Sequence, residues 1–273
     1  MSEHRSEKNL FRRARVCLCA NDLELKLELA KALRVDWLAG GIEIEQAVLS
    51  DVVIAGHPQR PELVHPRQLP RRALATEEGR LALIHAVAHI EFNAINLATD
   101  ALFRFQGMPR AYYSDWIQVA AEEAEHFQLL QQRLHAGGMG YGDLPAHNGL
   151  WDMARRTAHD PLVRMALVPR MLEARGLDVT PGMITRLRAV GDLPTVAVLT
   201  RILREEVGHV AMGSRWFRYL CEERGQEPEQ TYFDLLETFL NGGIRCPLQR
   251  EARREAGFSD SELDRLEGLC KGS

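Results

Sequence analysis

At 273 residues and 45% hydrophobic, the chain can bury a substantial core, as one large domain or one domain with extensions. A net charge of -4 and a pI near 6.2 give no global electrostatic reason to expect nucleic acid or an anionic membrane as partner. Five cysteines, an odd number without C-x-x-C spacing, argue against a disulfide framework and predict separate thiols in a reducing cytosol.

The N-terminus, Met1 to Arg15, is charged and lacks an apolar signal core, so a soluble cytoplasmic protein is expected. Residues 1–20 read as a polar, Arg-rich and flexible start. Asn21-Asp22 caps a predicted helix to about Trp37, with Leu23, Leu27, Ala30 and Leu33 on one side and Lys or Glu on the other. Ile42 to Arg72 holds four prolines and little periodicity, and reads as a strap over the core. Domain boundaries are expected near 75 and 225: N-terminal helix and strap, a central bundle at 76–225, and a helical extension at 226–273.

Thr76 with Glu77-Glu78 opens the first long helix, which runs to about Phe103. Its apolar stripe includes Ile84, Val87, Ala88, Ala94, Ile95, Ala98 and Leu102, with Glu91 in its middle. A second helix, from about Ser114 to Leu134, stops at Gly137-Gly138, and Glu123 and His126 interrupt its stripe. Asn148 caps a third helix to about Arg175, kinked at Pro161 and Pro169, with Glu173 near its end. A short helix after Thr180-Pro181 ends at Gly191. The fourth long helix runs from about Leu193 to Arg224 and carries Glu206 and His209 on its stripe. Two short helices follow, Tyr232–Leu240 and Ser259–Leu269. No strand is predicted, and the fold class is all-α.

Glu-x-x-His puts a carboxylate and an imidazole on one helix face, one turn apart. With 25 Glu and 10 His in 273 residues, chance gives about one such pair. There are three. Glu62–His65 lies between Pro61 and Pro66, where no helix can join the two, and serves as an internal control. The other two share a context: a lone Glu on the preceding helix stripe, Glu91 before Glu123 and Glu173 before Glu206. One Glu from each of two helices, and Glu-x-x-His from each of the others, is the ligand set of a di-metal carboxylate centre in a four-helix bundle. Four buried carboxylates would repel, and two divalent cations would neutralise them. Such mixed ligation suits iron, manganese or zinc, and its oxygen-rich character favours iron or manganese. The competing reading is a buried hydrogen-bonded network without metal.

His85 and His89 lie one turn apart but off the Glu91 face, which suits supporting or structural roles. Arg170, one turn before Glu173, could orient a ligand carboxylate or an anionic substrate, or make an ordinary ion pair. Glu122, Glu125 and Glu205 point away from the ligands, and Trp116 and Trp216 read as core.

On His85 to Leu97, Met108 to Phe127, Tyr141 to Trp151, Leu167 to Gly182 and Ile202 to Leu220, the sequence resembles the ferritin-like superfamily. More closely, it is similar to a bacterial family of ferritin-like proteins catalogued as domain of unknown function 455. The resemblance implies a ferritin-like four-helix bundle with a long crossover and a presumptive di-iron site at Glu91, Glu123, His126, Glu173, Glu206 and His209. It implies no known reaction. Asn93 and Asn96, near where relatives often carry Gln and Glu, lie off the ligand face.

The first functional expectation is a di-iron enzyme that, reduced by an external electron donor, uses O₂ to oxidise or hydroxylate a small organic substrate. No flavin or nicotinamide motif is present. The superfamily also includes a tRNA-modifying hydroxylase; Arg60, Arg67, Arg71 and Arg72 are the only local support for RNA, and the charge balance argues against it. Alternatives are a ferroxidase or iron-handling protein, a closed structural or sensor module, and a manganese enzyme that disproportionates peroxide.

Overall fold

The computed structural model describes residues 7–47, 54–69, 73–239 and 244–270. Among these residues every regular element is helical, and β pairing is confined to isolated bridges. Arg71, Arg72 and Leu240, singled out from the sequence, lie outside the described residues. The chain divides into two compact units, Met1–Asp152 and Met153–Ser273.

In the first unit, α1 (Leu10–Cys19) and α2 (Leu23–Leu38) precede the long helices α3 (Glu77–Arg104) and α4 (Arg110–Ala136). α3 packs on α4 and α1, and α2 packs on α4 and α1, so the four helices close a ring around one core. Residues 1–20 are therefore not all a flexible start. Asn9 caps α1 by accepting from Arg12 N–H, and Leu10, Phe11, Ala14, Cys17 and Leu18 are fully buried. The arginines conceal this stripe in sequence. Arg13 is itself buried, paired with Asp36 of α2 at 2.6 Å.

Lys26 also departs from expectation. Instead of facing water it is buried, and its ammonium donates to Cys17 O (3.1 Å), Leu18 O (2.8 Å) and Asn96 Oδ1 (2.6 Å). It thus caps the C-terminus of α1 and ties it to α3. Residues 54–69 form the predicted strap, irregular except for a 3₁₀ turn at Pro66–Gln68. Gly56 fastens it to the end of α1 by donating to Leu18 O at 2.8 Å, where any Cβ would collide with the Cys19 and Ala20 carbonyls. α3 has the length and apolarity of a membrane span, with mean hydropathy 1.3 over its most apolar stretch, yet 78% of that stretch is buried in the protein. It is a core helix.

The boundary between units falls within α5 (Gly149–Arg156). In the second unit, α6 (Pro161–Leu167), a π-helical turn (Val168–Glu173) and α7 (Ala174–Ala189) follow one another without a break. α8 (Leu193–Glu223) packs on all three, and α9 (Pro228–Phe239) and α10 (Arg250–Glu255) pack on α8; α11 (Asp260–Gly268) completes the unit.

The predicted third helix, Gly149 to Arg175, is interrupted: it ends at Arg156, and a new helix begins at Pro161. Pro161 does not kink a helix but starts one, behind the N-cap Asp160. Pro169 lacks an N–H and widens the ladder, so Ala174 N–H reaches five residues back to Pro169 O. Glu173 consequently sits inside a longer helical run, and Pro181 is accommodated within α7. Cys246 and Cys270, expected as separate thiols, are joined in a disulfide with Cα atoms 5.8 Å apart. The bridge between Ile244 and Cys270 aligns their backbones, a pairing across 24 residues that spacing does not reveal.

Candidate metal centre

The loop 105–109 folds α3 back against α4. Tyr113 fixes it: its hydroxyl accepts from Met108 N–H at 3.0 Å and donates to Phe105 O at 3.3 Å. Glu91 lies 13 residues before the end of α3, and Glu123 lies 13 after the start of α4. At ~1.5 Å rise per residue, both stand ~20 Å from the turn, level with one another. His126 follows one turn on.

The three side chains meet inside the first unit. One ligand atom from each of Glu91, Glu123 and His126 lies within 4.8 Å of the others. His126 Nδ1 is 3.2 Å from Glu91 Oε2 and 3.3 Å from Glu123 Oε2. Their exposures are 4%, 1% and 0%, so water cannot screen the carboxylates. Burial, reinforced by the neighbouring Glu123 carboxylate, pushes the Glu91 carboxyl up to about 8. Burial works against a charged imidazole at His126, but hydrogen bonds to Glu123 and Glu91 outweigh it and lift that pKa to about 11. This buried Glu/His group could bind a metal ion.

In the second unit, His209 is buried and its Nδ1 lies 3.3 Å from Glu206 Oε1, one turn away on α8. Glu173 is half-buried at the junction of the π turn and α7. The control pair Glu62 and His65 is exposed in the strap, where His65 caps the 3₁₀ turn by accepting from Arg67 N–H at 3.2 Å. Glu122 pairs with Arg34 at 3.7 Å and Glu205 with Arg201 at 3.1 Å.

His85 and His89 bind a loop. His85 Nε2 accepts from Gly142 N–H at 2.9 Å. His89 donates from Nε2 to His147 O at 3.1 Å and accepts at Nδ1 from the Tyr141 hydroxyl at 2.8 Å, a tautomer assigned from these partners. Burial lowers the His89 pKa to about 4, so the ring stays neutral. Together they staple the loop after α4 onto α3. Sequence reasoning missed Tyr141, whose signal was a lone aromatic between Gly140 and Gly142. It packs on Phe127, ring centroids 4.9 Å apart, one position after His126.

Arg170 takes the ion-pair alternative. Fully buried, it donates from Nη2 to Glu262 at 2.6 Å and from Nε to Ser214 Oγ at 3.2 Å. The rings of Phe217, Tyr232 and Phe258 surround its guanidinium at 4.3–4.9 Å.

Residues 19–264 match the family described as "Protein of unknown function (DUF455)", which spans both helical hairpins and all six proposed ligands. The chain belongs to this family. Within the DUF455 match lie the strap, the π turn and the Arg170–Glu262 pair; most of α1 and the Cys270 half of the disulfide fall outside it. The chain is also 45% identical over 218 residues to an uncharacterized protein of Haemophilus influenzae, covering 77% of this chain and 76% of that one. No solved structure matches the chain.

Proposed function

We propose that the chain is a ferritin-like, four-helix di-metal carboxylate protein. Its ligands would be Glu91, Glu123 and His126 in the first unit and Glu173, Glu206 and His209 in the second, with iron as the first candidate metal. The joining of the two ligand sets rests on their repeated sequence pattern. The observation that carries the reading is the buried convergence of Glu91, Glu123 and His126 on paired helices.

The donor set fits a divalent cation. Two carboxylates this close in a dry interior resist joint ionisation, and His126 supplies at most one compensating charge. Glu91 and Glu123 would bind through oxygen and His126 through Nδ1, the atom already facing both carboxylates. Phe92 and Phe127, each next in sequence to a ligand and each buried, keep water from the carboxylates. When bound, a redox-active pair would supply O₂ activation for oxidation or hydroxylation of an organic substrate, with electrons from an external donor.

The test is metal content per chain after purification without added metal, with iron, manganese and zinc measured together. About two iron ions, with O₂ consumed on reduction, is the expected result. Two manganese ions would move the assignment to peroxide disproportionation, and a cage-sized assembly would move it to iron handling. Glu123→Ala should lose metal and Glu62→Ala should retain it; equal loss from both would sink the proposal.

A further inference from the structure

We infer that the second unit carries a separate binding site for a small phosphoryl oxyanion, formed by the π turn, the start of α7 and the segment at Ile244–Arg245. A cavity of about 170 Å³ lies there, lined by Arg170, Arg175, Arg245, Arg253, Leu172 and Ile244 among others. Four guanidinium groups line one small cavity, and the carboxylates present pair with only two of them. Asp178 is committed to Arg253 through two hydrogen bonds of 2.9 and 2.7 Å, and also accepts from Gln249 N–H at 2.9 Å. Glu262 is committed to Arg170 at 2.6 Å. Arg175 and Arg245 make no ion pair among the described residues, and Arg175 lies within electrostatic reach of Arg245, of the Asp178 carboxylate shared with Arg253, and of Arg253 itself.

A second observation points to a ligand independently. Arg170 Nη1 is buried and has no hydrogen-bond partner among the described residues, although the other two nitrogens of the same guanidinium are satisfied. The surrounding rings stabilise the charge but accept no conventional hydrogen bond. The surplus of two cations matches a dianion. Arg170 and Arg175 lie on one continuous helical run and Arg245 on a separate segment, and all three line the same cavity. A phosphoryl group offers these donors three or more acceptor oxygens and up to two negative charges, against two oxygens and one charge for a carboxylate. Leu172, Ile244 and Leu266 leave an apolar wall for a short organic substituent on the phosphate.

Calorimetric titration of the full-length chain with inorganic phosphate tests the inference, with succinate as a carboxylate probe. Saturable phosphate binding at one site per chain is expected, weakened about tenfold or more by Arg245→Gln and by Arg175→Gln. Arg186→Ala, an exposed change on α7 away from the cavity, should leave it unchanged. Arg245 is exposed, so its replacement spares the fold, and thermal melts verify this for each variant. Glu123→Ala separates the site from the proposed metal centre. Phosphate binding that survives Glu123→Ala supports the inference; binding that disappears with it places the anion at the metal and overturns it. No saturable uptake at millimolar phosphate, equal binding by all arginine variants, or preference for succinate would also overturn it.

Discussion

Gly213 of α8 lies directly against Pro169 of the π turn: a Cβ at position 213 would overlap the Cβ and Cγ of the proline ring. The glycine lets the two helical runs approach closely at the one place where the ladder is widened. Glu173 follows Pro169 by four residues, and Glu206 precedes Gly213 by seven, so this contact fixes the spacing from which two proposed ligands project. The cause of the close approach is steric, and it can be tested by adding a single methyl group.

Gly213→Ala should destabilise the protein by about 1–3 kcal/mol, because Pro169 is too rigid to yield. Gly208, on the same helix, has nothing within 4 Å of its would-be Cβ. Gly208→Ala should therefore stabilise by about 0.5–1 kcal/mol through helix propensity alone. Urea unfolding of both variants gives the comparison. Changes of the same sign would contradict the assigned contact.

Lys26 offers a pH-dependent prediction. Burial lowers its pKa from 10.5 to about 8 in the folded chain. Between those values the unfolded chain holds a proton that the folded chain has released, so the contribution of Lys26 to stability rises with pH across that window. Lys26→Met should cost about 3 kcal/mol or more near neutral pH, since it strands two carbonyls and the Asn96 amide oxygen in the core. The gap between wild type and variant should then widen by roughly 1–3 kcal/mol toward pH 10.5. A gap that narrows would mean that the three acceptors hold the ammonium charged in the fold.

The cysteines are tested by mass. Alkylation of the unfolded chain without reductant should modify three thiols, those of Cys17, Cys19 and Cys221. After reduction it should modify all five. Five modifications without reductant would remove the Cys246–Cys270 bond.

The long helices of the first unit were legible because a carboxylate on an apolar stripe violates the helical pattern conspicuously, and Glu91, Glu123 and His126 do so at one level of a hairpin. α1 was not, because Arg12, Arg13 and Arg15 dominate its composition while Leu10, Phe11, Ala14, Cys17 and Leu18 hold its spacing. Lys26 was misplaced for a related reason: a lysine in an amphipathic helix is ordinarily a surface group, and only the converging carbonyls of α1 make its burial tolerable. Proline was ambiguous. The same residue type starts a helix at Pro161, widens one at Pro169 and rides inside one at Pro181, and the outcome depends on neighbours that no local reading supplies. The Arg170–Glu262 pair spans 92 residues and leaves no local trace.

The π turn also sets a phase. An α-helix advances ~100° per residue, and a turn that takes in one extra residue resets the angular count for everything beyond it. A helical wheel drawn continuously through 161–189 therefore assigns Glu173 and the residues after it to the wrong bearing. Removing one residue from the turn would restore an unbroken α-helix and leave α7 facing as it does now, because the widened turn already absorbs the ~100° that the extra residue would otherwise add. The extra residue thus works as an offset in the numbering: it decides which side chains of the second half share a face with those of the first, without turning that half.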